Sequence, residues 1–309
     1  MRTRSTIAAV AMLAFPLPAI AAGLPGPVGI SVGSLGNPYY VALAKGATAQ
    51  ARALDPNAAV TVVSADYDLN KQFTQMDNFV AAGVKLILVT AIDQNAIRPA
   101  IERAHRAGIV VVGVDVNAEG ADAVIQTNNV AAGTIACEAL AAKIGGKGDV
   151  IIENGEQVSA VIDRVKGCEA ALAKHPDIRI LDSGQNGKGS RDGALAVAQG
   201  YMVRFPDIAG IFAVNDPQAI GTDLAIAQAH RTGIVVTSVD GAPDIVSALK
   251  TDTANWASAS QDPYRMGQIA VRTGTAIADH HLPAERVILM PPKLVDRKNV
   301  SSYVGWTQH

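Results

Sequence analysis

The chain has 309 residues, 28 acidic against 26 basic side chains, two cysteines, 17% charged residues and 4% aromatics. Near-neutral charge leaves no electrostatic footprint for a nucleic-acid backbone, a mean hydropathy of +0.20 excludes a disordered chain, and two cysteines without CxxC or Cys/His spacing support neither a disulfide scaffold nor a zinc site. The length exceeds the roughly 250 to 300 residues that one core sustains, so two lobes are expected.

The first residues read as an address. Arg2 and Arg4 precede an uncharged stretch over 6–22, which Pro16 and Pro18 interrupt, and Ala19-Ile20-Ala21 has the small-x-small form of a signal-peptidase site. A secretory signal peptide over 1–21 is therefore expected, cleaved after Ala21. A membrane anchor fits worse, because the apolar run falls short of the roughly 20 residues needed to span a bilayer. Removing Arg2 and Arg4 leaves 24 basic against 28 acidic groups, a net charge of −4. The expectation is a soluble, exported, monomeric protein with neither cofactor nor metal. Export permits Cys137 and Cys168, both on predicted helices, to pair as a disulfide. The alternative is two small buried hydrophobes; pairing is the reading favoured.

From Pro27 onward, short apolar β-branched runs alternate with helical stretches of about a dozen residues, the pattern of βαβ units and a parallel sheet. Strands are predicted at 28–32, 60–65, 86–90, 109–114 and 123–127, with helices at 37–53, 71–82 and 95–107 between them. A second series follows, with strands at 150–153, 178–182, 210–214, 234–239 and 256–260 and helices at 132–144, 158–174, 191–205, 217–229 and 242–249. Two doubly wound α/β lobes follow from this alternation.

An internal repeat supports the division. Residues 104–115 (AHRAGIVVVGVD) match 229–240 (AHRTGIVVTSVD) at nine of twelve positions. Each copy reads as a helix end, a glycine C-cap, a strand and a terminal aspartate. The tail adds a helix over 264–278 and a strand over 286–290 before Pro291-Pro292. Returning these two elements to the first lobe assigns 26–128 plus 262–291 to one lobe and 129–261 plus 292–309 to the other. The chain then crosses between lobes three times, which makes a hinge.

In open parallel sheets, ligands bind beyond the carboxyl ends of the strands. The residues following the predicted strands are Asn37, Tyr39 and Tyr40 after the first, Asp115 at the end of the fourth, then Asn215 and Asp216, Asp240, and Gln261. This set holds no evident nucleophile. It suits a neutral polyhydroxylated molecule: a carboxylate accepts from adjacent hydroxyls, a carboxamide both donates and accepts, and aromatic faces cover the C–H face of a sugar. Asn37 and Asp216 also fit helix N-caps, and the two aspartates also fit turns.

Gly36-Asn37-Pro38-Tyr39-Tyr40, Val114-Asp115, Val214-Asn215-Asp216, Val239-Asp240-Gly241-Ala242-Pro243-Asp244 and Ser260-Gln261, taken in order, resemble the periplasmic ribose-binding proteins and their relatives, the type I sugar-binding components of ABC importers. The resemblance runs through essentially the whole mature chain. It implies the periplasmic-binding-protein-like I fold, with two lobes joined by a three-segment hinge and closing over one sugar. It further implies delivery to a permease and a pocket lined by Asn37, Tyr39, Tyr40, Asp115, Asn215, Asp240 and Gln261. A chemoreceptor or sensor kinase is a further partner of this kind. Ribose binders carry an arginine where this chain has Val116, a second at the apparent position of Ile162, and an aromatic near Gly189. Arg164 stands nearby, either to substitute for the second arginine or to stabilise its helix. Asn117, Asn154 or Gln157 are expected to supply replacement donors, for a pentose other than ribose, a hexose or a linear sugar alcohol.

Other readings fall away. Gly29, Gly33 and Gly36 lack dinucleotide spacing, the 184–190 stretch lacks the phosphate-loop spacer, and Ser247 to Lys250 fits SxxK without its companion motifs. His105 and His230 are expected in last helical turns, where they suit the helix dipole. The alternative of a different class is an exported carbohydrate-active α/β enzyme using Asp115 and Asp240 as acid and base.

Overall fold

The computed structural model describes residues 23–306; the expected signal peptide over 1–21 lies outside the described residues. In chain order the elements are β1 (Val28–Val32), α1 (Pro38–Leu54), β2 (Val60–Ser64), α2 (Leu69–Ala81), β3 (Leu86–Val89), α3 (Arg98–Arg106), β4 (Val110–Val114) and β5 (Ala123–Thr127). They continue with α4 (Asn129–Lys143), β6 (Lys147–Glu153), α5 (Ser159–Leu172), β7 (Asp177–Asp182), α6 (Arg191–Arg204), β8 (Gly210–Ala213), α7 (Asp216–Gln228) and β9 (Val235–Asp240). The last are α8 (Pro243–Leu249), β10 (Asn255–Ser260), α9 (Pro263–Ala278), β11 (Val287–Met290) and β12 (Lys293–Asp296).

Two six-stranded sheets result, ordered β11-β5-β4-β3-β1-β2 and β12-β10-β9-β8-β6-β7. Both are parallel except for β12, which runs antiparallel to β10. Their central strands are buried along their whole length, so they read as continuous apolar runs rather than alternating ones. The tail helix and strand join the first sheet: Met266, Ala270 and Val271 of α9 pack with Val28, Leu43 and Leu88, and β11 pairs with β5. The short apolar piece after Pro291-Pro292 is β12, edge strand of the second sheet.

The repeated segment occupies corresponding places in the two sheets. Gly108 and Gly233 take φ of +71° and +79°, ending helix before strand. Asp115 and Asp240, at the ends of β4 and β9, take φ of 73° and 141°. This region is costly for any residue with a Cβ, by about 1–3 kcal/mol, and it clusters at functional sites. His105 lies in the last turn of α3 and pairs with Asp122 at 3.0 Å. His230 lies past the end of α7 at φ 52°, in a left-handed cap rather than in the last turn expected from sequence.

Helices α4 and α5 pack at close range because each offers a glycine to the other's backbone. A Cβ on Gly133 would stand 1.9 Å from the carbonyl oxygen of Arg164, and one on Gly167 would stand 2.1 Å from that of Val130. One turn along, the Sγ atoms of Cys137 and Cys168 are bonded, with Cα atoms 5.1 Å apart and both residues fully buried. Closing a 31-residue loop is worth about 3–4 kcal/mol in the chain-entropy treatment. Unfolded, unreduced protein should therefore titrate no thiol, and reduction should reveal two and lower the urea midpoint; two thiols before reduction would contradict the bond.

Candidate ligand-binding cleft

The carboxyl ends of the two sheets face one another across a small cavity of about 40 Å³. Asn37, Tyr39, Tyr40, Asp115, Arg164, Asn215, Asp240 and Gln261, all named from sequence, line it, and Tyr67, Glu156, Val158, Ala160, Val161 and Gly189 complete the wall.

Each side chain is placed by the start or end of an element. Asn37 and Asn215 are N-caps whose Oδ1 atoms accept from the backbone N–H groups of Tyr39 and Gln218, each at 3.0 Å. Asn37 is thus the N-cap that its sequence position allowed and lines the cavity as well, while the cap of α7 is Asn215. The amide of Asn215 donates to the Gly189 carbonyl at 3.2 Å. Tyr39 and Tyr40, in the first turn of α1, meet edge to face with ring centroids 5.4 Å apart, and Trp306 stacks edgewise on Tyr39 at 5.6 Å. The Trp306 indole N–H donates to the Asp240 carbonyl at 3.0 Å.

The charged centre is Arg164 with Asp240. The guanidinium donates from Nε to Asn129 Oδ1 at 2.9 Å and from one terminal nitrogen to the Val214 carbonyl at 2.8 Å, and that nitrogen lies 3.5 Å from Asp240 Oδ1. Gln261 donates to the same oxygen at 2.6 Å. Burial pushes the Asp240 carboxyl above the ordinary range, and Arg164 and Gln261 oppose that shift. Burial also raises Asp115, against Arg164 and the Tyr39 and Tyr40 hydroxyls. Tyr40 donates to Asp115 Oδ2 at 3.3 Å, while Oδ1 is buried with no hydrogen-bond partner among the described residues. A buried carboxylate oxygen without a donor is costly by about 1–3 kcal/mol or more.

Four expectations are corrected. The second guanidinium sits at Arg164 and not at Ile162: two residues are about 200° apart on a helix, and Arg164 shares the buried face with Ala160, Gly167 and Cys168, whereas Ile162 faces solvent. Asn117 does not line the cavity. Its backbone N–H donates to Ser159 Oγ at 2.8 Å and its amide to Gln94 Oε1 at 3.4 Å, which places it on the seam between the sheets. Asn154 and Gln157 are no replacement donors either, because Gln157 donates to Asn154 Oδ1 and the Asn154 amide donates to the Ser183 carbonyl. Asp216 is a buried structural hub rather than an N-cap, accepting from Ser238, Ser258 and the Ala242 N–H that begins α8.

Tyr67 is the residue that sequence reasoning missed. It follows β2 in a loop without periodicity, where Asp66 and Tyr67 both take left-handed φ, 53° and 57°. Each costs an L-residue roughly 1–2 kcal/mol. The Tyr67 N–H donates to the Gly33 carbonyl at 3.1 Å, and Lys71 holds Asp66 at 2.5 Å. Two adjacent Asp-Tyr residues before a capping Asp68 were the only signal available.

Behind the cavity wall lies an acid. Glu153, at the end of β6 and fully buried, accepts from Thr222 Oγ1 at 2.7 Å and Gln218 Nε2 at 3.0 Å. Gln218 in turn accepts from the Gly189 N–H at 2.9 Å, which ties the acid to the cavity wall. With only neutral partners, burial pushes the Glu153 carboxyl up to about 7.

Residues 28–281 match the periplasmic binding protein domain family. The chain belongs to that family. A xylitol-binding protein of Mycolicibacterium smegmatis is 31% identical over 228 residues, 72% of this chain and 64% of that protein, so the match spans just under two thirds of the relative's length. A ribose import binding protein of Bacillus subtilis is 29% identical over 273 residues, 88% of this chain and 87% of the relative. The crystal structure of an ABC transporter solute binding protein from Mycobacterium smegmatis with bound glycerol superposes with a TM-score of 0.85 at 29% identity, covering 90% of this chain and 96% of that one. Members of the family bind and release solutes without chemistry, so Asp115 and Asp240 are not an acid–base pair and the protein is not an enzyme.

Glu153 makes a pH prediction. Its folded value lies above its unfolded one, so the stability it contributes is complete below about pH 4.5 and is lost as pH rises through about 7. Glu153→Gln should lose less stability than the parent between pH 5 and pH 8 in urea titrations, by an amount on the order of 2–3 kcal/mol; parallel pH profiles would contradict the assignment.

Proposed function

We propose that the protein captures one sugar or sugar alcohol between its lobes in the periplasm and delivers it to the permease of an ABC importer. The observation that carries this reading is the cavity lined from both sheets, with the carboxylates of Asp115 and Asp240 and the carboxamides of Asn215 and Gln261 among its lining residues and Asp115 Oδ1 buried without a donor among the described residues. A polyol brings one hydroxyl donor per carbon, which matches an acceptor such as Asp115 Oδ1.

The proposed ligand-binding residues are Asn37, Tyr39, Tyr40, Tyr67, Asp115, Arg164, Asn215, Asp240 and Gln261. The hinge lies where the chain passes between sheets, near 128/129, 261/262 and 291/292, and α5 swings with the second lobe. Val158 and Ala160 at the start of α5 pack among Ile97, Val116 and Ala118 of the first lobe, so closure buries an apolar seam beside the polar pocket. Ligand entry selects this closed form, and the closed surface is what the permease reads. Export by a cleaved signal peptide, a monomeric state and a chemoreceptor or sensor kinase as further partner belong to the same proposal.

Ribose is not the preferred ligand. Val116 is buried in the seam and offers no guanidinium, Gly189 offers no aromatic face, and Arg164 is the one cation lining the cavity. The xylitol-binding relative favours a linear sugar alcohol. With Asp115, Asp240 and Glu156 against Arg164, the wall repels anions, so uronic acids are excluded.

In a thermal-shift panel, pentitols or hexitols at millimolar concentration should raise Tm by about 5–10 °C, uronates should not, and stabilisation by ribose alone would overturn the ligand class. Asp240→Asn should weaken binding roughly 100-fold or more through the loss of charged hydrogen bonds while leaving the far-UV circular dichroism unchanged. Unaltered affinity in calorimetry would mean that the pocket is misplaced.

A further inference from the structure

A second, larger cavity of about 430 Å³ adjoins the first on the outer side of the cleft. The two share three lining residues, Asn37, Tyr67 and Gly189. These residues therefore form the neck between the small inner pocket and an outer chamber about ten times its volume. The chamber's other walls combine the polar side chains of Ser34, Lys188, Ser190, Arg191 and Asp244 with the apolar faces of Pro38, Pro217 and Ala242, a mixture that can meet both the hydroxyls and the C–H face of a sugar.

The neck is made by complementary shapes. On the first lobe, the two successive left-handed residues Asp66 and Tyr67 bring a tyrosine ring into the cleft, and its hydroxyl is hydrogen-bonded to that of Tyr40 in the inner pocket. On the second lobe, the facing position is Gly189, itself left-handed at φ 59°. A Cβ there would stand 3.6 Å from the Tyr67 hydroxyl and 3.3 Å from the Asn215 amide. The tyrosine hydroxyl thus lies within van der Waals reach of Gly189 across the neck, and the left-handed backbone there favours glycine. Gly189 is also held from behind, its N–H by Gln218 and its carbonyl by Asn215, so the loop is fixed at the height of the ring.

We propose that Tyr67, seated against Gly189, is a size-selecting gate: it seals the inner pocket from the outer chamber, limits the ligand to a single monosaccharide or short polyol, and denies the chamber to disaccharides. This rests on the sugar-or-polyol reading above and assigns the limit on ligand length to one side chain.

The test is calorimetry and thermal shift on the full chain with C3 to C6 polyols, aldopentoses, aldohexoses and the disaccharides maltose, cellobiose and xylobiose. The parent protein should bind one or more of the small ligands and none of the disaccharides. Tyr67→Gly, which suits a left-handed position, should bind the small ligand about tenfold more weakly and gain at least tenfold for a disaccharide. Tyr67→Asn tolerates the same backbone and serves if the glycine variant does not fold. Tyr67→Phe, which keeps the ring, should keep the exclusion. A folded glycine or asparagine variant that still rejects every disaccharide, or a parent that binds one as tightly as a polyol, overturns the gate alone. A parent that binds no member of the panel overturns the sugar-or-polyol reading and the gate with it.

Discussion

The structure turns on the burial of Asp240 beside Arg164. Moving a carboxylate out of water is costly by several kcal/mol even after relaxation, and the charge persists only where its surroundings are made to compensate. Here every neighbouring element takes part. Arg164 approaches from α5, Gln261 from the end of β10, and the residue's own carbonyl accepts from Trp306 and from the Gln261 N–H. The guanidinium is itself held by Asn129 at the start of α4, and the close α4–α5 packing that the facing glycines permit brings it there. Lobe core, hinge crossing and carboxyl-terminal segment thus converge on one ion pair that is 3.5 Å long and incompletely satisfied. In the proposed complex a ligand hydroxyl inserted there would complete hydrogen bonding that folding has already pre-organised, so that a modest number of contacts would suffice for selective binding.

Asp115 occupies the corresponding place in the other lobe without a comparable partner. The duplication visible in the sequence therefore produced two acids at equivalent strand ends, one in an ion pair with Arg164 and the other held mainly by tyrosine hydroxyls. That asymmetry makes the two sides of the cavity chemically unlike, a guanidinium on one and a carboxylate oxygen without a donor on the other. Closure adds the apolar seam around Val158 and Ala160, where burial is worth about 2.5 kcal/mol per 100 Å². A driving force of that size, set against the strain of closing, is the range in which a small ligand shifts the balance between open and closed populations.

Much of this was legible in the chain, for physical reasons. Parallel strands buried on both faces are continuous apolar runs, and strand-end residues in a doubly wound sheet face the crevice, so the placement of Asp115, Asp240, Asn215 and Gln261 at the cavity was legible from position alone. Arg164 was found but mistrusted, because a two-residue offset in counting from motifs matters little along a loop and reverses the face along a helix. Asn117 was drawn in by its nearness to Asp115; the left-handed turn at Asp115 sends the following residues to the seam instead. Tyr67 was invisible because its direction comes from two backbone angles, not from any residue pattern. Trp306 was invisible because its partner is far away in the chain.

The last strands bear on how the protein is made. β11 and β12, separated by only two residues, are the edge strands of different sheets. Until they are synthesised, β5 and β10 present open edges, the kind of surface that recruits other chains. Both sheets and the Trp306 support of Asp240 are then completed almost together by one short terminal stretch. A chain emerging from its amino terminus holds two unfinished sheets for most of its synthesis, and non-local pairings of this kind form slowly. The edges of both sheets and the Trp306 contact to Asp240 are thus closed later in synthesis than any strand of either core.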